Sequence, residues 1–528
     1  MISTDKVGWG AAILVVAFVA LAISTLLSHF SWASLTELWT DAYLRHVTYF
    51  SFYQAFISTL LSVVPAVPIA VTLYRRRFPG RAILIRLCSV TLVMPVLIGV
   101  FGIMAIYGNN GILKQWLSGV GIVDAFSLYG LSGILLAHVF FNLPYASRLI
   151  LQILETIPME QNQLASHLGF SRWQRFRWIE WPRIKQSLLP VSGLVFMLCF
   201  TSFATVMTLG GGPKSTTIEL AIYQAIKFDF DLTTGAILAI AQMLFCSGFY
   251  FLFQRNTKSL SVDMETPARV APILRTSALA NVLDTLNVLI LAWVVLPPIA
   301  AVIFSGLNAN VLKVFSEVQF WSALKLSLFI ALCSGMFATV IGYLIVLTSR
   351  QLKFTGHFKQ ATGVELLGSL VLITPSLVIS TGLFLLLRRF SDIYSFSMFI
   401  VILVNGLMAL PFVIKVLSQP MYLIEKQYHF LCHSLGIKGW NRFALIDFKA
   451  IKTPIVYAFS LSFLLSMGDL TAISMFGSQD FQTLPMYLFR LLGSYQMESA
   501  SVVALCMMVL SVLFFVFFER ISQFSSKG

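Results

Sequence analysis

The stretch QLASHLGFSRWQRFRWIEWP, residues 163–182, returns as FLCHSLGIKGWNRFALIDFK at residues 430–449. A gapless shift of 267 residues matches Leu168-Gly169 to Leu435-Gly436, Trp173 to Trp440, Arg175-Phe176 to Arg442-Phe443 and Ile179 to Ile446. It also pairs Pro144 with Pro411 and Arg148 with Lys415. Self-similarity at one fixed offset marks a duplicated architecture, so the chain reads as two like halves.

Around these two segments the chain is apolar. Of 528 residues, 58% are hydrophobic and 11% charged, against about 25% charged in soluble domains. Runs of about twenty apolar residues recur, each long enough to cross a hydrocarbon core of roughly 30 Å. Six spans are expected near 8–30, 50–73, 85–107, 128–151, 186–210 and 233–253. Six more follow near 284–306, 326–347, 364–387, 396–417, 454–476 and 500–518. The reading is therefore an all-α membrane protein of about 12 helices in two parallel six-helix halves, with repeats at 1–260 and 284–528 and a polar linker at 261–283. Because each half holds an even number of spans, both enter the membrane in the same sense, and a pseudo-twofold axis runs along the membrane normal. The first span exceeds a signal-peptide core and lacks a convincing cleavage site, so it reads as an uncleaved helix.

The formal charge of +14 sits mainly in short connections, not in a basic domain. That is the positive-inside pattern and excludes nucleic-acid binding. Arg75, Arg76, Arg77, Arg81 and Arg86, then Arg172, Arg175, Arg177, Arg183 and Lys185, assign their loops to the cytoplasm. In the second half Arg350, Lys353, Lys359, Lys438, Arg442, Lys449 and Lys452 do the same. Glu37, Asp41, Asp124, Asp229 and Asp231 belong outside, which leaves both termini cytoplasmic. Arg388 and Arg389 break the rule. The six cysteines are scattered, with no CxxC pair, so no disulfide framework is expected.

The loop at 152–185 is too long for a simple connector and should contain short helices. Gln163, Leu164, Ala165, Gly169, Phe176, Ile179 and Pro182 resemble the EAA loop of ATP-binding-cassette importer permeases, with Gln and Leu replacing the first two residues of that pattern. The second copy, in the loop at 418–453, places Phe430, Leu431, Cys432, Gly436, Phe443 and Ile446 at the same positions, with Lys449 in place of Pro182. A short amphipathic helix offers an apolar face to a groove, and glycine turns the chain after it. Two such loops imply two sites for a cytoplasmic ATPase dimer. No G-x-x-x-x-G-K-[ST] loop occurs, so the energy source is a separate subunit and the chain itself is not an enzyme.

SFYQAF at 51–56, YRRRFPGR at 74–81, LLAHVFFNLP at 135–144, LGGGPKSTTIELAIYQA at 209–225 and SLGIKGW at 434–440 extend the resemblance over nearly the whole chain. Together they are similar to the permeases of thiamine and thiamine pyrophosphate importers, a fused branch of a family that also handles ferric iron and polyamines. The resemblance implies an inner-membrane permease of type I importer fold, taking thiamine or its phosphates from a periplasmic binding protein, with no cofactor. Ferric iron or polyamine is the alternative cargo. A twelve-helix secondary transporter is the alternative mechanism, against which the paired loops argue.

Polar residues inside spans mark the expected path. Asp469, in SMGDLTAISMFG, faces Ser202 under the repeat, and Thr201, Thr205, Ser466, Thr471 and Ser474 accompany them. Asp469 either attracts a cationic substrate or serves structure and gating. His138, with Asn405 as its repeat partner, reads as a satisfied interhelical hydrogen bond. His429, Cys432 and His433 lack the glutamate of a zinc helix and read as part of a structural surface helix, so no metal is expected. Pro95, Pro144, Pro375 and Pro411 are hinge candidates.

Overall fold

The computed structural model describes residues 4–30, 40–109, 111–119, 127–254, 277–388, 393–437 and 439–526, and among these every regular element is helical. Glu37, Asp124, Arg389, Lys438 and residues 261–276 of the expected linker lie outside them. The principal helices of the first half are α1 (Thr4–Ser28), α2 (Ala42–Arg75), α3 (Arg81–Val93), α4 (Val96–Tyr107), α5 (Leu131–Leu154), α6 (Met159–His167), α7 (Trp181–Phe200), α8 (Phe203–Leu209), α9 (Ile218–Lys227) and α10 (Leu232–Gln254), with short helical pieces at Ile112–Gly119 and Arg172–Arg175. In the second half they are α11 (Ala278–Gly306), α12 (Val318–Phe354), α13 (Phe358–Gly368), α14 (Ser376–Arg388), α15 (Ile393–Ser434), α16 (Phe448–Met467), α17 (Thr471–Phe476), α18 (Leu484–Gly493) and α19 (Met497–Ser526), with short pieces at Val311–Ser316 and Gly439–Arg442.

Eleven helices of the described residues are long and apolar enough to cross a membrane. All twelve expected spans coincide with helix, but several are divided. The ninth, 364–387, is split before α14 at Pro375, which has no amide hydrogen to continue a helix. Pro95 divides 85–107 in the same way. Pro144 and Pro411, expected to interrupt spans, lie inside α5 and α15, which run through them. Transmembrane helices tolerate such prolines where neighbours satisfy the freed carbonyl. Residues 278–283 of the expected linker are the first turns of α11. The second long loop was expected at 418–453, but α15 continues to Ser434 and occupies its first part.

The first helix of each half packs on the other half. Helix α1 lies against α12, α13 and α14, whereas α11 lies against α4 and α2 as well as α19. Small residues permit the crossing: a Cβ on Gly382 would collide with the Ala22 carbonyl of α1, and one on Gly102 with the Pro298 carbonyl of α11. Close backbone approach at glycine is a common basis of helix association in lipid, where hydrophobicity drives no contact between helices. The two halves are thereby held together by exchanged helices.

Candidate coupling and translocation site

Both repeated segments end their first helix alike. In α6, Leu168, Gly169 and Phe170 donate amide bonds to Leu164, Ser166 and Ala165, the last at 2.9 Å, and Gly169 has φ +66°. At the end of α15 the amide of Ile437 donates to Cys432 at 2.9 Å, and Gly436 has φ +65°. A residue with a Cβ is strained there, which explains glycine in both copies. Each segment then enters a π-helical turn, Phe176–Glu180 or Phe443–Asp447, matched at the same 267-residue shift.

The sequence-selected residues divide into two groups. Gln163, Leu164, Pro182, Phe430 and Leu431 are exposed, as are both glycines. Ala165 and Cys432 are buried, and Phe176, Ile179, Phe443 and Ile446 are half-buried. The outer group, with exposed Leu168, Trp173, Leu435 and Leu445, forms an apolar surface on each segment. His429 is bound to Glu425 at 2.8 Å, and among the described residues no His, Cys, Asp or Glu cluster suits a metal.

Beneath each surface lies an ionic mount that the sequence reading did not single out. Arg75 donates to both oxygens of Glu180 at 2.7 Å, and Arg350 donates to Asp447 at 3.0 and 2.7 Å. Glu180 and Asp447 are repeat partners within the π-helical turns, so matched acids were the signal available. Glu425 adds Arg442 at 2.5 Å and Arg350 at 3.3 Å. In the first segment Arg175 is buried and donates to the Asn162 carbonyl and Ser166. Arg172 and Arg76 both pair with Asp284 of α11, the latter at 2.7 Å, so this mount reaches the other half.

The expected path residues gather where two spans break. Helix α7 stops at Phe200 and α8 begins at Phe203; helix α16 stops at Met467 and α17 begins at Thr471. Thr201 donates to the Met197 carbonyl and Ser202 to that of Cys199, while Thr205 is buried. His138 bridges Ser58 and Ser202 at 2.8 Å on each ring nitrogen, the interhelical bond expected of it. Opposite, Asn405 donates to Ser466 at 3.0 Å and Ser474 to the Thr471 carbonyl. Asp469 is half-buried and accepts the amides of Thr471 at 3.2 Å and Ala472 at 3.0 Å, so its carboxylate caps α17. A Cβ on Gly468 would lie 3.0 Å from Pro95, which puts the second-half break against the first-half kink.

Residues 59–261 and 356–526 match the family described as binding-protein-dependent transport system inner membrane component. The chain belongs to this family. Its similarity to the thiamine transport system permease protein ThiP of Escherichia coli (strain K12) is 45% identity over 485 residues, 92% of this chain and 90% of that one. The protein of the same description from Haemophilus influenzae is 41% identical, covering 90% and 89%. That of Brucella abortus (strain 2308) is 39% identical, covering 91% and 88%. Membership makes this permease a multi-pass inner-membrane transport component that works with a binding protein and an ATPase, and the two matched segments fall one in each half.

Proposed function

We propose that this permease imports thiamine and its phosphates, receiving them from a periplasmic binding protein and releasing them to the cytoplasm. The observation that carries the reading is the similarity to thiamine permeases over nine-tenths of the chain. Two copies of a separate ATPase dock on the segments around Gln163–Pro182 and Phe430–Ile446, which lie in the cytoplasm with both termini. The equal glycine turns support two equivalent docking points. Substrate passes between the breaks at Thr201-Ser202 and Gly468-Asp469, with Thr205, Ser466, Thr471 and Ser474 beside it.

Alternating access follows from this arrangement. ATPase closure moves both segments, each segment continues through its π-helical turn into a span, and the broken spans α7/α8 and α16/α17 open toward one side or the other. The test is reconstitution of the permease with its ATPase and binding protein in liposomes. Thiamine uptake should require ATP and all three components. Uptake driven by an ion gradient alone would overturn the assignment, and stimulation by ferric iron or polyamine instead of thiamine would correct the cargo.

A further inference from the structure

The turns that follow α9 and α18 contain the two non-glycine residues with positive φ among the described residues, Phe230 at 55° and Tyr495 at 59°. They occupy matched places. Ile218 donates its amide to Ser51 at 2.9 Å as Leu484 does to Ser327 at 2.7 Å, so α9 and α18 are seated alike on α2 and α12. Each turn closes the helix end, with Asp231 donating to the Ala225 carbonyl at 2.8 Å and Gln496 to that of Leu491 at 3.0 Å. Glycine or asparagine would suit such a position; a bulky ring is an outlier there.

Burial does not compensate for this strain. Phe230 is 70% exposed and Tyr495 85%. Large rings return energy when a partner covers them, and strained backbone concentrates at clamps and binding sites. The first turn is acidic at its flanks: Phe230 stands between Asp229 and Asp231, beside a cleft of about 470 Å³ lined also by Asp41, Tyr43, Gln224 and Thr234. The Thr234 hydroxyl, opposed by partial burial and assisted by the amides of Thr234 and Thr233, holds Asp231 below the usual carboxylate range. Tyr495 is flanked by exposed Ser494 and Gln496. Both turns lie one membrane crossing away from the coupling segments, since α7 and α16 run between them.

We propose that Phe230 and Tyr495 are paired posts on which the soluble binding protein docks, one on each half, with a basic region of that partner facing the acidic cleft beside Phe230. The proposal rests on the orientation and partner given under the proposed function. A bridge across both halves would let one docked protein sense, and bias, their relative position.

The test titrates the thiamine-binding protein against permease and ATPase in nanodiscs and reads the concentration that half-saturates ATPase stimulation. Phe230→Gly and Tyr495→Gly remove the rings while suiting the positive φ, so folding is preserved. Each should raise half-saturation about tenfold with basal ATPase unchanged, and Asp229→Asn about threefold. Phe228→Ala, an exposed neighbour without positive φ, should have little effect. Half-saturation within twofold of wild type in both glycine variants overturns the proposal. So does a lower melting temperature or poor membrane retention with unchanged half-saturation, which would make the rings lipid anchors. A wild-type complex that the binding protein does not stimulate overturns the functional reading first, and the posts with it.

Discussion

The two repeated segments are held by different mounts. In the first, α5 stops at Leu154, four residues turn the chain, and α6 starts after Pro158. In the second, α15 runs for 42 residues straight through the matched point, where Glu425 stands in place of Pro158. Pro158 stands at the N-cap of α6, where its missing amide hydrogen costs nothing, whereas Glu425 is buried within α15 and collects Arg350, Arg442 and His429. The first mount is a hinged piece tied by Asp284 to the opposite half. The second is a strut tied within its own half. The copies share the left-handed glycine and the π-helical turn, the features on which the proposed docking rests; they differ in how each segment is anchored to the rest of the bundle.

Removing the central arginine of each mount should separate them most. Arg350→Ala leaves Glu425 and Asp447, both 3% exposed at the side chain, to one remaining arginine. Breaking such a buried pair costs about 3–5 kcal/mol. Arg75→Ala uncovers Glu180 and the Arg172 carbonyl, at a somewhat more exposed site, and should cost less. Thermal melting of the two variants in one detergent checks this, and equal losses would remove the distinction between strut and hinge.

Asp284→Ala comes next, at about 2 kcal/mol, because it strands Arg76 and Arg172 that are themselves partly solvated. Its effect should be one-sided. Cross-linking of the ATPase to a cysteine at Leu164 should fall while cross-linking at Leu431 persists. Loss at both positions would mean that the clamp serves assembly in general and not the first mount.

The glycine pair sets the opposite expectation. Nothing lies within 4 Å of a Cβ placed on Gly169 or Gly436, so alanine there meets no clash and pays only the left-handed conformation, about 1–2 kcal/mol. With φ values one degree apart, both variants should lower transport per ATP hydrolysed to the same degree. A normal ratio in both would show that these turns are not coupling elements.

Hydropathy, the 267-residue repeat and the glycine turns were legible because each is a local or periodic signal. The divided spans were partly legible at Pro95 and Pro375, where the residue itself breaks a helix. They were illegible at Thr201-Ser202, where nothing in the run of apolar residues announces a stop. Continuity of α15 into the second segment was hidden for a related reason: charged Glu425 and Lys426 look like a loop until Arg350, 75 residues upstream, is brought beside Glu425. The exchange of α1 and α11 depends on contacts such as Gly382 with Ala22, which no spacing rule encodes.

The smallest effect concerns the one charge that distinguishes the matched breaks, Asp469 against Ser202. Both carboxylate oxygens of Asp469 are turned to backbone amides, one to Thr471 and one to Ala472. An asparagine retains one acceptor and caps a helix about as well as aspartate, whereas alanine caps poorly and typically costs about 1 kcal/mol. If the carboxylate serves α17, Asp469→Asn should assemble and transport near wild type, while Asp469→Ala should lower the melting temperature and transport together. If it instead attracts the cationic thiazolium ring, the asparagine variant should lose transport with basal ATPase and stability intact. The capping geometry favours the first outcome. Ser202→Asp completes the comparison, because that site has a different set of partners: Ser202 already bonds His138 and the Cys199 carbonyl, so an added carboxylate there should disturb the His138 bridge without gaining a cap. Improved thiamine uptake in Ser202→Asp would reverse the conclusion, since it would show that negative charge at the break, and not the cap, is what the path uses.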